Sequence, residues 1–175
     1  MNPTRALLIA VLCILASGCR SSVSALGMTP EPLTFNIQHY ESLWIEVSTP
    51  SRFLSFGPAR VPQKEVEKAL RSALSESELF KLARTDDSAD YRLQVHFVKI
   101  EEPEAGLDMT AHASAKWLLV EGQDDKVVWR QTVTTEHRAT SDDSAFIEER
   151  GRMALEGALR ENITEGIELL GREAL

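Results

Sequence analysis

The chain has 175 residues, 43% hydrophobic and 26% charged, which suits one globular domain and excludes wholesale disorder. A formal net charge of −8 argues against a nucleic-acid backbone as partner. Two cysteines are too few for a disulfide scaffold or a cysteine-rich zinc fold. Composition alone names no activity.

Met1 to Arg5 carries one positive charge, and residues 6–16 (ALLIAVLCILA) carry none. A permanent span needs roughly 20 apolar residues, so this run has the proportions of a secretory signal instead. It ends on Leu15-Ala16-Ser17-Gly18-Cys19, which resembles the lipobox of bacterial lipoproteins, with Ala16 where Leu is commoner. The resemblance implies removal of residues 1–18 by cleavage between Gly18 and Cys19. It also implies a diacylglycerol on the Cys19 sulfur and an acyl chain such as palmitate on its new amino group. The membrane is then a partner through acylated Cys19, and several chains make a stable anchor. The alternative is an ordinary signal peptide cut near Gly18, leaving Cys19 a free thiol. Cys13 would be discarded with the signal. Arg20, rather than Asp, follows the cysteine; by resemblance to lipoproteins of diderm bacteria this implies the outer membrane, facing the periplasm. Residues 19–40, rich in Ser, Thr and Pro, read as a tether with a reach of about 25 Å. Residues 41–175 read as a single domain.

Leu43, Ile45 and Val47 alternate along a first strand. A loop from Thr49 to Val61 holds Phe53, Leu54 and Phe56, and Pro62 suits the first position of a helix. Val66, Ala69, Leu70, Ala73 and Leu74 predict an amphipathic helix over 63–77. Strands are predicted over 90–100, 109–120 and 126–136. The middle one turns Met109, Ala111, Ala113, Ala115, Trp117 and Leu119 inward, its small residues letting a helix backbone approach. Thr140 and Asp143 match a capping pattern for a long helix ending near Leu170, with Leu155, Ala158, Leu159, Asn162, Ile163, Gly166, Leu169 and Leu170 on one stripe. The order β-α-β-β-β-α predicts a two-layer α+β fold, an antiparallel sheet with both helices on one face.

Candidate chemistry is sparse. His96 and His112 share the outward face of neighbouring strands and could oppose each other, yet zinc wants three or four protein ligands and no spacing supplies the rest. There is no G-x-S-x-G elbow, phosphate-binding glycine loop or dinucleotide fingerprint in the sequence. The pairs Glu101-Glu102, Asp124-Asp125 and Asp142-Asp143 fall at turns and read as caps and solvated loops. Asn162, on the apolar stripe, is expected to hydrogen-bond a strand. No catalytic residue, metal or cofactor is therefore assigned. Lys64, Lys68 and Arg71, at i, i+4 and i+7, form a possible interaction surface for an acidic partner, against the plainer reading of a solvated helix face.

The segment Ala89-Asp90-Tyr91-Arg92-Leu93-Gln94-Val95, the hairpin after it and Ala115-Lys116-Trp117-Leu118-Leu119 loosely resemble auxiliary lipoproteins of ABC-type intermembrane transport, and next the lipoprotein activators of peptidoglycan synthases. The resemblance implies a non-enzymatic envelope protein that binds an envelope protein partner or assists transport and assembly. Two other readings stay open. One is a carrier of a small apolar ligand held between the sheet and Phe53, Leu54 and Phe56; the other is a hydrolase with a non-local site.

Overall fold

Alternating apolar residues build a five-stranded mixed sheet in the computed structural model, which describes residues 22–50, 61–101, 103, 106–122 and 125–173. The strands are β1 (Ser42–Ser48), β2 (Lys81–Leu82), β3 (Tyr91–Glu101), β4 (Met109–Glu121) and β5 (Lys126–Ala139). They lie in the order β2-β1-β3-β4-β5. Among the described residues three α-helices accompany them: α1 (Ala25–Met28), α2 (Gln63–Ser77) and α3 (Ile147–Leu170). The expected two-layer α+β architecture is present, with one difference in strand direction. β1 runs parallel to both β2 and β3, while β3, β4 and β5 form the antiparallel meander. The reason is the crossover: α2 carries the chain back along the sheet, so the strands on either side of it run the same way.

The inner face of β4 is the one expected, with Met109, Ala111, Ala113, Ala115, Trp117 and Leu119 all buried. Helix α3 lies against β4 and β5, and two of its glycines set the approach. A Cβ on Gly166 would overlap the Trp117 indole, and one on Gly157 would overlap the His137 ring. Asn162, fully buried, accepts a hydrogen bond from Trp117 Nε1 at 3.2 Å and donates to the Val133 carbonyl at 3.0 Å. The helix-to-strand bond expected of this amide is thus made. Helix α2 buries Val66, Ala69, Leu70, Ala73 and Leu74, with Pro62 one position earlier than expected, at the N-cap.

Two expectations need correction. Thr140 and Asp143 do not cap α3; they close a turn upstream of it. The Asp143 carboxylate accepts from Thr140 N at 2.7 Å and Oγ1 at 2.9 Å, and the helix begins only at Ile147. The same side chain-to-backbone bonds serve an isolated turn as well as a helix end.

The second correction concerns the tether over residues 19–40, whose described part, from Ser22 onward, is docked on the domain. Val23, Ala25 and Met28 belong to the core. Ser24 caps α1 by accepting from Gly27 N at 3.1 Å. The Glu156 carboxylate, itself buried, accepts from Ser24 N at 2.8 Å, from Ser24 Oγ at 3.0 Å and from Arg152 Nη1 at 2.7 Å. Glu65 accepts from Ala25 N at 2.9 Å, and Arg160 donates to the Gly27 carbonyl at 2.9 Å. Farther along, Phe35 packs at Gly171 and His39 N donates to the Leu79 carbonyl at 2.8 Å. A one-turn helix has no period to read, and its partners lie up to 133 residues away in sequence.

Candidate interaction surfaces

The helices cover one face of the sheet and leave the other open, as antiparallel sheets allow. His96 and His112 both lie on that open face but do not meet. His96 pairs with Lys116 and His112 with Glu101. The hairpin register itself keeps them apart: on the same side of the register shift at Phe97/Lys99 as Tyr91, the ladder already sets His96 opposite Lys116, four residues along β4 from His112. His96 Nδ1 lies 2.6 Å from Ser48 Oγ, and His112 Nδ1 lies 3.5 Å from Glu136. Among the described residues no group of three or more His, Cys, Asp or Glu side chains could hold a metal.

The carboxylates are used locally. Glu101 pairs with Lys99, whose hydrogen bond holds its carboxyl below the ordinary range, and Asp125 pairs with Arg92. Asp90 accepts from Ser42 N and Ser42 Oγ, each at 2.7 Å. Those bonds, the backbone one first, lower its pKa and tie the start of β3 to the start of β1. These are fastenings between strands rather than acids converging on a cleft.

The basic stripe changes most. Lys64 and Lys68 are exposed, but Arg71 is turned back onto the sheet. Its Nε lies 3.1 Å from Glu67, its Nη2 donates to the Ile45 carbonyl at 3.2 Å, and its guanidinium carbon sits 4.8 Å from the Trp44 ring centroid. Gln63 likewise donates to the Val47 carbonyl at 2.8 Å. Helix α2 therefore covers with side chains the part of the β1 edge that two-residue β2 leaves open. Spacing correctly placed Arg71 beside Lys68 but could not show where a long side chain would swing.

The other edge is left uncovered by the described residues. β5 is 14 residues long and terminates the sheet, with Arg130, Gln131, Thr132, Thr134 and Glu136 exposed along it. Sequence alternation predicted the strand but not its edge position, since pairing order is a non-local property. Two of the hollows lined by described residues open to the surface nearby and at the far end. One, about 550 Å³, lies between β4 and β5 and is lined by Lys116, Leu118, Arg130 and Thr132 among others. The other, about 460 Å³, includes Tyr40, Glu78 and the stacked pair His39 and Phe80, 4.7 Å between ring centroids. Neither sets a nucleophile beside a base. Gly18, Cys19, Phe53, Leu54 and Phe56 lie outside the described residues. No helix among the described residues is long and apolar enough to cross a membrane.

No protein-family model matches the sequence, and no curated relative matches it. Solved structures do share the fold. A Xanthomonas campestris protein described under family DUF330 superposes with a TM-score of 0.60 at 23% identity, covering 82% of this chain and 94% of that one. A hypothetical protein of Chlamydia trachomatis gives 0.55 at 10% identity, covering 76% and 96%. A minor lipoprotein of Acinetobacter baumannii gives 0.52 at 12% identity, covering 75% and 93%. At these identities the likeness is one of fold.

Proposed function

We propose that the chain is a non-enzymatic, lipid-anchored lipoprotein of the bacterial envelope, which binds a protein partner or assists envelope transport and assembly. The anchor is Cys19, which carries a diacylglycerol on its sulfur and, once cleavage after Gly18 frees its amino group, an acyl chain there; Arg20 after it favours the outer membrane, facing the periplasm. The fold shared with a minor lipoprotein is in keeping with this reading. So is the local use of histidines and carboxylates described above.

The observation that carries the binding role is the edge of β5. A terminal strand of 14 residues presents a row of backbone donors and acceptors, and a partner strand can satisfy them without regard to its own side chains. The opposite edge has its carbonyls engaged by Arg71 and Gln63. Lys64 and Lys68 remain a smaller second surface for acidic groups.

A photo-crosslinking amino acid placed at Thr132, in β5, tests this directly in intact cells, with Lys68 on α2 as the comparison. A discrete adduct from Thr132 that is weaker or missing from Lys68 supports recognition at the edge. Adducts from Lys68 alone, or from neither position, contradict it.

A further inference from the structure

We propose that the end of the molecule bearing Leu107, Phe146 and Ile147 is a bilayer-contact surface, which seats the domain directly on a zwitterionic phospholipid surface. The inference rests on the reading that Cys19 is acylated, and it goes beyond that reading by fixing which end faces the membrane.

Leu107 is 81% exposed, Phe146 73% and Ile147 54%. Leu107 comes from the β3–β4 connection and the other two from the start of α3, and Arg150 draws these segments together. This buried guanidinium donates to the Ser144 carbonyl at 2.7 Å and to the Gly106 carbonyl at 3.4 Å. The patch lies where β3 and β5 end and where β4 and α3 begin. Three large apolar side chains gathered at one end of the domain mark a site of contact with an apolar medium.

The path of the N-terminal segment supplies that medium. Ser24, Gly27 and Phe35 meet Glu156, Arg160 and Gly171 in that order, so the segment runs along α3 in the helix's own direction. Its described part therefore begins nearer the start of α3 than the end of it. Four residues separate Cys19 from Ser24, and the five steps between them span at most ~18 Å. The helix from Glu156 back to Ile147 rises only ~14 Å. The acyl chains of Cys19 can therefore enter a bilayer at the same end as Phe146 and Ile147, and the docked segment removes the slack that a free tether would allow.

The surrounding charge selects the kind of surface. Asp142, Asp143 and Glu148 are exposed around the patch and form no ion pair among the described residues. Anionic lipid would repel this rim, whereas the ammonium groups of phosphatidylethanolamine or phosphatidylcholine would attract it.

The test uses the full acylated chain in phosphatidylcholine–phosphatidylethanolamine vesicles. A single added cysteine at Leu107, Phe146, Leu26 or Tyr40 carries an environment-sensitive fluorophore, and the lipids carry nitroxide quenchers. Labels at Leu107 and Phe146 are expected to emit to the blue and to be quenched as if ~5–10 Å within the headgroup–acyl boundary. A label at Tyr40, at the opposite end, should remain in water, and replacing part of the lipid with phosphatidylglycerol should weaken quenching at Leu107 and Phe146. Quenching at these two positions no greater than at Tyr40 overturns the proposal, as does deeper burial of Leu26, which would mean a side-on seat. Intact mass of the same sample separates the two failures. Unmodified Cys19 overturns the anchor and this surface together, while acylated Cys19 with labels in water overturns this surface alone.

Discussion

Replacing Trp117 with Ala is the most informative perturbation of the fold. The indole is fully buried, and its neighbours along β4 are Ala113, Ala115 and Leu119. Opposite it stands Gly166, which has no side chain to move into the space. A cavity flanked by alanines and a glycine collapses poorly, so the cost belongs near the upper end of the ~3–5 kcal/mol usual for emptying a large aromatic site. The substitution also removes the donor to Asn162 Oδ1, leaving a buried carbonyl oxygen short of that bond, for ~1 kcal/mol or more. Trp117→Phe keeps most of the volume and loses chiefly that hydrogen bond, so it should cost ~1–3 kcal/mol. Urea unfolding followed by far-ultraviolet circular dichroism, with a shared m-value, gives both numbers. A loss below ~2 kcal/mol for Trp117→Ala at unchanged m would show that α3 can close over the gap, against the tight helix–sheet contact described here.

Three other outcomes are expected. Gly166→Ala, whose Cβ would overlap the indole, should destabilise by ~1–3 kcal/mol, and by much less in a Trp117→Phe background if the contact is direct. Glu156→Ala removes the acceptor of Ser24 N, Ser24 Oγ and Arg152, so amide exchange over residues 24–28 should accelerate while β3 and β4 stay protected. Asp90 should titrate below the ordinary carboxylate value in a carboxyl-detected NMR experiment, and Ser42→Ala, which removes the hydroxyl bond but keeps the larger backbone one, should move it only part of the way back up. Because the folded value is the lower one, this fastening contributes at pH above the unfolded value and is lost as pH falls through the folded one.

What the sequence makes legible here is what repeats locally. The β3–β4 hairpin, the inward row ending at Trp117 and Leu119, helix α2 and the bonding of Asn162 all follow from period and from the need to satisfy a buried amide. Signals that depend on distant partners are not legible in the same way. β2 has two residues and no alternation to detect, and the parallel pairing of β1 is decided by the crossover, not by its own residues. Helix α1 is held by Glu65 and Glu156, so its Ser-rich surroundings look like any flexible linker until the fold brings those carboxylates in. Alternation placed His96 and His112 on one face but could not supply the hairpin register, which sets His96 opposite Lys116, four residues along β4 from His112. Arg71 left its expected stripe because a carbonyl, a carboxylate and an indole were within reach of its side chain.

The lipoprotein reading depends on one atom, the sulfur of Cys19. Intact-mass analysis of the protein purified from the membrane fraction, with sequencing of its N-terminal peptide, tests it most directly. The expected result is a chain beginning at Cys19, carrying the added mass of a diacylglycerol and an amide-linked acyl group. A chain that begins elsewhere, or an unmodified Cys19 on a protein recovered from the soluble fraction, would contradict it.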